Sequence, residues 1–165
     1  GTTNRSVVDI DWVTIPAGPF IYQGNFEELN AFRISGYPIT VSQFRAFVDA
    51  PDGYAQDRWW AGFPEEARSP WQPEWPFDNH PCEYVDWWQA RAFCRWLSDR
   101  LGLPVALPTE RQWERAAAGG GRKARAYPWG NRWDSNRVNA KWTVGQTSAV
   151  GIYPRGASKD EGVHD

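Results

Sequence analysis

Three times along this chain a helix-capping side chain is followed three positions later by glutamine: Thr40 and Gln43, Asp86 and Gln89, Thr109 and Gln112. In such a pair the cap oxygen accepts from the backbone N–H three residues on. The glutamine reaches back to the N–H of the cap, so two orphan donors are satisfied together. Three helix starts are thereby fixed before any apolar pattern is read. The first helix runs to about Ala50, with Phe44, Phe47 and Val48 on one face, and Pro51-Asp52-Gly53 stops it. The second buries Phe93, Trp96, Leu97 and Leu101 and ends at Gly102, which supplies a left-handed stop. The third is short and runs out into Ala116–Ala118 and the glycines 119–121.

Around these helices little regular structure is expected. Residues 11–24 read as a hairpin turning at Ala17-Gly18-Pro19, residues 32–39 as an extended piece bent at Gly36, and Val105–Leu107 and Ala149–Tyr153 as short strands. The chain holds 12 Trp, 8 Phe and 6 Tyr, so its core is built from large rings whose indole N–H groups want partners. Residues 52–80 carry Trp59, Trp60, Trp71 and Trp75 with no helical or strand period. A loop this long is either packed down by its own aromatics or functional. Those four tryptophans are the candidate ligand-binding residues. The competing reading, core filler, leads because Trp is usually buried. No repeat and no linker is visible, so one domain is expected over 11–165, with residues 1–10 a tail or cloning remnant.

The net charge of −2 gives no pull toward nucleic acid. Residues 109–141 nevertheless hold eight Lys/Arg against Glu110, Glu114 and Asp134, which reads as a solvated basic loop ahead of a polyanion site. "GGGRKAR" (119–125) fails the phosphate-loop pattern and follows a helix, so it reads as a helix stop. Glu110 and Glu114 lie one turn apart on one helix rather than across a cleft, which favours a structural role. Only Cys82 and Cys94 are present, too few for a disulfide framework. With two histidines in all, His80 beside Cys82 does not make a zinc site. No secretory signal and no membrane-spanning apolar run is seen, which leans toward a cytoplasmic protein.

Six stretches then become specific: "VTIPAGPFIYQG" (13–24), "FRISGYPITVSQFRAFV" (32–48), "HPCEYVDWWQARAFCRWL" (80–97), "LPTERQWERAAAGG" (107–120), "YPWG" (127–130) and "TSAVGIYPRGASKDEGVHD" (147–165). In this order they resemble formylglycine-generating-enzyme/sulfatase-modifying-factor domains, and the fourth is the most diagnostic. The resemblance implies an α+β, C-type lectin-like fold, low in regular secondary structure and incomplete at the C-terminus. It implies that the chain is the N-terminal part of a single domain, whose copper-binding catalytic cysteine pair lies in a missing C-terminal segment. Cys94 corresponds to a structural cysteine of that family. A calcium loop after Asn139 is expected to be lost, since residues 135–159 contain no Asp or Glu.

The expected function is therefore a non-catalytic ligand-binding or display module, with no cofactor and no catalytic residue. Such a module resembles the variable proteins of diversity-generating retroelements. It would take a protein or small ligand at its irregular loops, and the missing segment of the same domain as a further partner. The alternative is a copper-dependent formylglycine-generating oxidase, or a related iron-dependent sulfoxide synthase needing more histidines than are present.

Overall fold

The computed structural model describes residues 8–121, 123, 125–140, 144–159 and 161–164. Residues 1–7 of the expected tail, and Arg122 and Lys141 of the basic segment, lie outside the described residues. The elements run β1 (Trp12–Ile15), β2 (Gly18–Tyr22), β3 (Asn25–Leu29), β4 (Phe32–Ser35), α1 (Val41–Asp49), α2 (Trp87–Leu101) and α3 (Glu110–Ala118). Three short 3-10 turns add Asp57–Trp59, Glu65–Ala67 and Pro154–Gly156. The content is mixed and sparse, as α+β implies. The chain packs as two compact units, one holding Val8, Asp9 and Ile39–Leu107, the other Ile10–Pro38 and the chain from Pro108 onward.

All three capping boxes form. Thr40 Oγ1 accepts from Gln43 N at 3.3 Å while Thr40 N donates to Gln43 Oε1 at 2.9 Å. The Asp86–Gln89 pair closes at 2.8 and 3.0 Å, and the Thr109–Gln112 pair at 3.2 and 2.8 Å. Gly102 ends α2 at φ 64°, in the left-handed region where a side chain is disfavoured.

The first unit is an aromatic core. Phe47 is fully buried and meets Phe44, Tyr54, Phe93 and Trp96 at ring separations of 5.8, 5.4, 6.0 and 5.4 Å. Residues 52–80 are stitched down by indole N–H groups: Trp59 Nε1 donates to Asp52 O at 2.7 Å, Trp60 Nε1 to Tyr54 O at 2.9 Å and Trp71 Nε1 to Glu83 O at 3.0 Å. Gln89, 2 % exposed, serves twice. Its oxygen caps α2, and its Nε2 donates to Tyr54 OH at 2.9 Å and Ser69 O at 3.0 Å. Val8 is buried, and Gln43 Nε2 donates to Asp9 O at 2.6 Å, so residues read as tail take part in the packing.

The second unit corrects the strand reading. β1 does not pair with β2. Instead β1 pairs antiparallel with β4, Val13 opposite Ile34, and β2 pairs antiparallel with β3, Phe20 opposite Glu27. The hairpin turn is therefore Gln23-Gly24, at φ 48° and 81°, the two positive values a tight two-residue turn needs. Glutamine is an uncommon choice there, which hides the turn in the sequence. Its amide is held by Tyr22 OH at 3.0 Å and Glu110 Oε1 at 3.5 Å. Neither Val105–Leu107 nor Ala149–Tyr153 is a strand. Val105 exchanges both backbone hydrogen bonds with Ser98 Oγ, at 2.9 and 3.0 Å, so no ladder is left to make. Residues 149–152 close a turn from Ile152 N to Ala149 O at 3.4 Å.

Four arginines of the basic segment are paired within this unit, while Lys123 and Arg132 are exposed as the solvated reading expects. Arg111 pairs with Glu27 at 2.5 Å, Arg137 with Asp134 at 2.9 Å, and both Arg115 and Arg125 reach Glu161. The glycine run makes room for them: a Cβ on Gly119 would stand 1.8 Å from Arg125 Nη2, and one on Gly120 2.8 Å from Arg115 Nη2. Asn139 donates to Gln146 O at 2.8 Å and Ser148 Oγ at 3.2 Å. Tyr127, Trp129 and Trp133 cluster, the first two stacked at 5.4 Å.

Candidate functional site

The first unit holds the large aromatics that its own core does not absorb. They gather where the chain enters α2. That approach is fixed by Thr40 bridging Pro81 and by Cys82 N donating to Ile39 O at 2.7 Å. Tyr84 follows at φ 54°, an outlier for a bulky residue, and is 68 % exposed. Its hydroxyl bonds Glu74 Oε2 at 2.9 Å, and that carboxylate raises its pKa. Glu83 accepts from Trp75 N at 2.9 Å through its side chain and from Trp71 Nε1 through its carbonyl, so the loop is tied to this segment at two points.

The first turn of α2 presents Trp87, 54 % exposed, edge-on to Trp88 at 4.5 Å, and Trp88 meets Phe63 at 4.8 Å. Arg91 lies one turn on. Its guanidinium sits 4.7 Å from the Trp87 ring and 5.2 Å from Phe63, geometry within cation–π range. Arg95 stacks on Phe63 at 4.1 Å and donates to Trp59 O and Ala61 O at 2.8 and 3.0 Å. This arrangement can hold a planar or anionic group against rings. It offers no nucleophile.

Of the four tryptophans singled out from sequence, Trp59 and Trp60 are 6 % and 8 % exposed, with their N–H groups consumed inside the loop. They are core. Trp71 and Trp75 are half-buried beside the approach to α2, and Trp71 packs edge-on to Phe44 at 4.9 Å. The sequence reading missed Tyr84, Trp87 and Arg91. The signal was present in Trp87 and Arg91, which are spaced i, i+4 on the face of α2 opposite its apolar stripe.

Both thiols are far from reactive. Burial pushes Cys82 up to about 12, with Glu83 adding to it, and burial pushes Cys94 up to about 11. Among the described residues no three His, Cys, Asp or Glu gather as metal ligands, and no helix is long and apolar enough to cross a membrane.

Residues 3–164 match the family described as the sulfatase-modifying factor enzyme 1-like domain, and the chain belongs to that family. Particular relatives carry several names. A hercynine oxygenase of Mycolicibacterium thermoresistibile is 34 % identical over 79 % of this chain and 32 % of that protein. An inactive C-alpha-formylglycine-generating enzyme 2 of Bos taurus is 40 % identical over 51 % of this chain and 23 % of its own. A formylglycine-generating enzyme of Thermomonospora curvata is 33 % identical over 62 % of this chain and 42 % of its own. The chain thus spans about a third of the length of the curated relatives it matches.

Proposed function

We propose that this chain acts as a non-catalytic ligand-binding module of the formylglycine-generating-enzyme-like family, on a C-type lectin-like scaffold. Ligand contacts lie on the irregular segment that leads into α2, with Trp71 and Trp75 at its border. Display of a variable ligand surface, as in the variable proteins of diversity-generating retroelements, is one form of this reading. The observation that carries it is the exposure of Tyr84 and Trp87 on a rigidly capped frame, because large rings left in water over a fixed support are typical of binding anchors.

The names of the relatives favour a second reading, an oxidase for which these residues form only the supporting shell. A copper centre on this span would need thiolates. Cys82 and Cys94 are both held as thiols by burial, and the described residues bring no ligand set together for copper or iron. They do not fit either metal.

Panning a random peptide library against the full chain separates the two readings. Enrichment of specific sequences that disappears with Trp87→Ala or Tyr84→Ala supports the module. Turnover of a cysteine peptide to an aldehyde by this chain, supplied with copper and oxygen, would overturn it.

A further inference from the structure

Arg91 stands out among the charged groups of the first unit. Four acids of the first unit are committed elsewhere: Asp86 caps α2 through Gln89 N at 2.8 Å, Glu74 holds Tyr84 OH, Glu83 holds Trp75 N, and Asp99 faces Arg58 at 3.8 Å. Arg45, Arg68 and Arg100 each have a carboxylate, Asp78, Asp57 and Asp52. Arg91 has none among the described residues. It lies instead against two rings, Trp87 and Phe63, and Arg95 stacks on the same Phe63.

A guanidinium stacked on aromatic faces loses little freedom when it binds, and its N–H edge stays free for a planar acceptor. The Arg91 edge and a half-exposed indole make a surface that is cationic and apolar at once, and Arg95, spent on the carbonyls of Trp59 and Ala61, fixes Phe63 beneath it. Its complement is an acidic segment that also carries an apolar side chain. Resting on the reading of this face as a binding site, we propose that Trp87 and Arg91 dock an acidic peptide segment of a partner protein. One carboxylate would sit on the Arg91 edge and a neighbouring apolar side chain against Trp87. Trp and Arg are the residue types that concentrate binding energy at such contacts. The carboxylate sets register and on-rate.

The test uses the full chain and two labelled peptides, one of alternating Glu and Phe and one with Gln in place of every Glu, followed by fluorescence anisotropy. The acidic peptide is expected to bind at least about tenfold more tightly than the Gln peptide, with the difference shrinking as salt rises. Arg91→Gln and Trp87→Ala should each weaken the acidic peptide about tenfold. Arg91→Lys should restore only part, since an ammonium cannot stack and pair bidentately. Arg45→Gln, which removes an arginine already paired with Asp78, should change nothing. Circular dichroism of each variant checks that it is folded. Equal binding of the two peptides, or acidic binding indifferent to Arg91→Gln in folded protein, overturns the inference. If only neutral peptides bind, and Trp87→Ala abolishes that binding, the inference fails while the module reading stands. If neither peptide nor any library sequence binds, both fall.

Discussion

Glu161→Gln is the perturbation that most directly measures what holds the second unit together. Glu161 is 3 % exposed and meets Arg115, 6 % exposed, and Arg125, 12 % exposed, the latter at 3.5 Å. One carboxylate therefore answers two guanidiniums out of water. Arg115 Nε already lacks a partner among the described residues. Removing one partner of a buried ion pair typically costs ~3–5 kcal/mol, because the remaining charge is stranded. Glutamine keeps the volume and one acceptor oxygen, so the low end, ~3 kcal/mol, applies. At a urea sensitivity of ~2 kcal/mol per M, the midpoint of unfolding should fall by about 1.5 M. The assay is urea unfolding of the full chain followed by tryptophan fluorescence. Arg115→Gln in the same background should cost clearly less than it does alone, because the charge it removes is by then unpaired. A midpoint within about 0.3 M of the parent would show that the pair is hydrated in solution, and the buried-pair account would be wrong.

Phe47→Ala empties the middle of the first unit's ring cluster and should destabilise by ~3–5 kcal/mol in the same assay, with no effect on the Arg91 surface. Gly53→Ala places a Cβ 2.0 Å from the backbone oxygen of Phe47, so the turn after α1 must shift; a thermal melt should show a loss of ~1–3 kcal/mol. Burial raises the Asp52 carboxyl, but the Arg100 hydrogen bond at 2.6 Å and its charge outweigh that and hold it below the usual range. Because the folded value is the lower one, this contribution is present above about pH 4 and lost as pH falls further. Arg100→Gln should flatten that acid limb in melts taken across it. Finally, native Cys82 and Cys94 should alkylate very slowly near pH 8, where on the order of one in ten thousand and one in a thousand are thiolate, and both should react promptly in denaturant.

The helices were legible because their signals are local. A cap and its glutamine lie three residues apart, and Gly102 needs no distant partner to act as a stop. The strands were not, because pairing is a contest between segments. β1 looked complementary to β2, and nothing local said that β4 would take it or that Gln23 would accept a positive φ. The basic segment was readable in part for a similar reason: Glu27 and Glu161, which pair with Arg111, Arg115 and Arg125, lie far off in sequence, whereas Lys123 and Arg132 stay exposed. The candidate site was half readable. Ring abundance pointed to the loop of residues 52–80, but which tryptophans face inward depended on carbonyls at Asp52 and Tyr54 that only folding brings into range.

Gln89 has one more consequence. The same amide caps the start of α2 and clasps Tyr54 and Ser69, residues 35 and 20 positions upstream. The oxygen of that amide closes the capping box locally, but its nitrogen finds its partners only once the intervening chain has closed. Helix start and loop closure thus share one side chain, so each favours the other and part of the cap's worth is realised only after a long loop has closed. Lengthening the segment between Ser69 and Gln89 should therefore slow refolding more than it hastens unfolding.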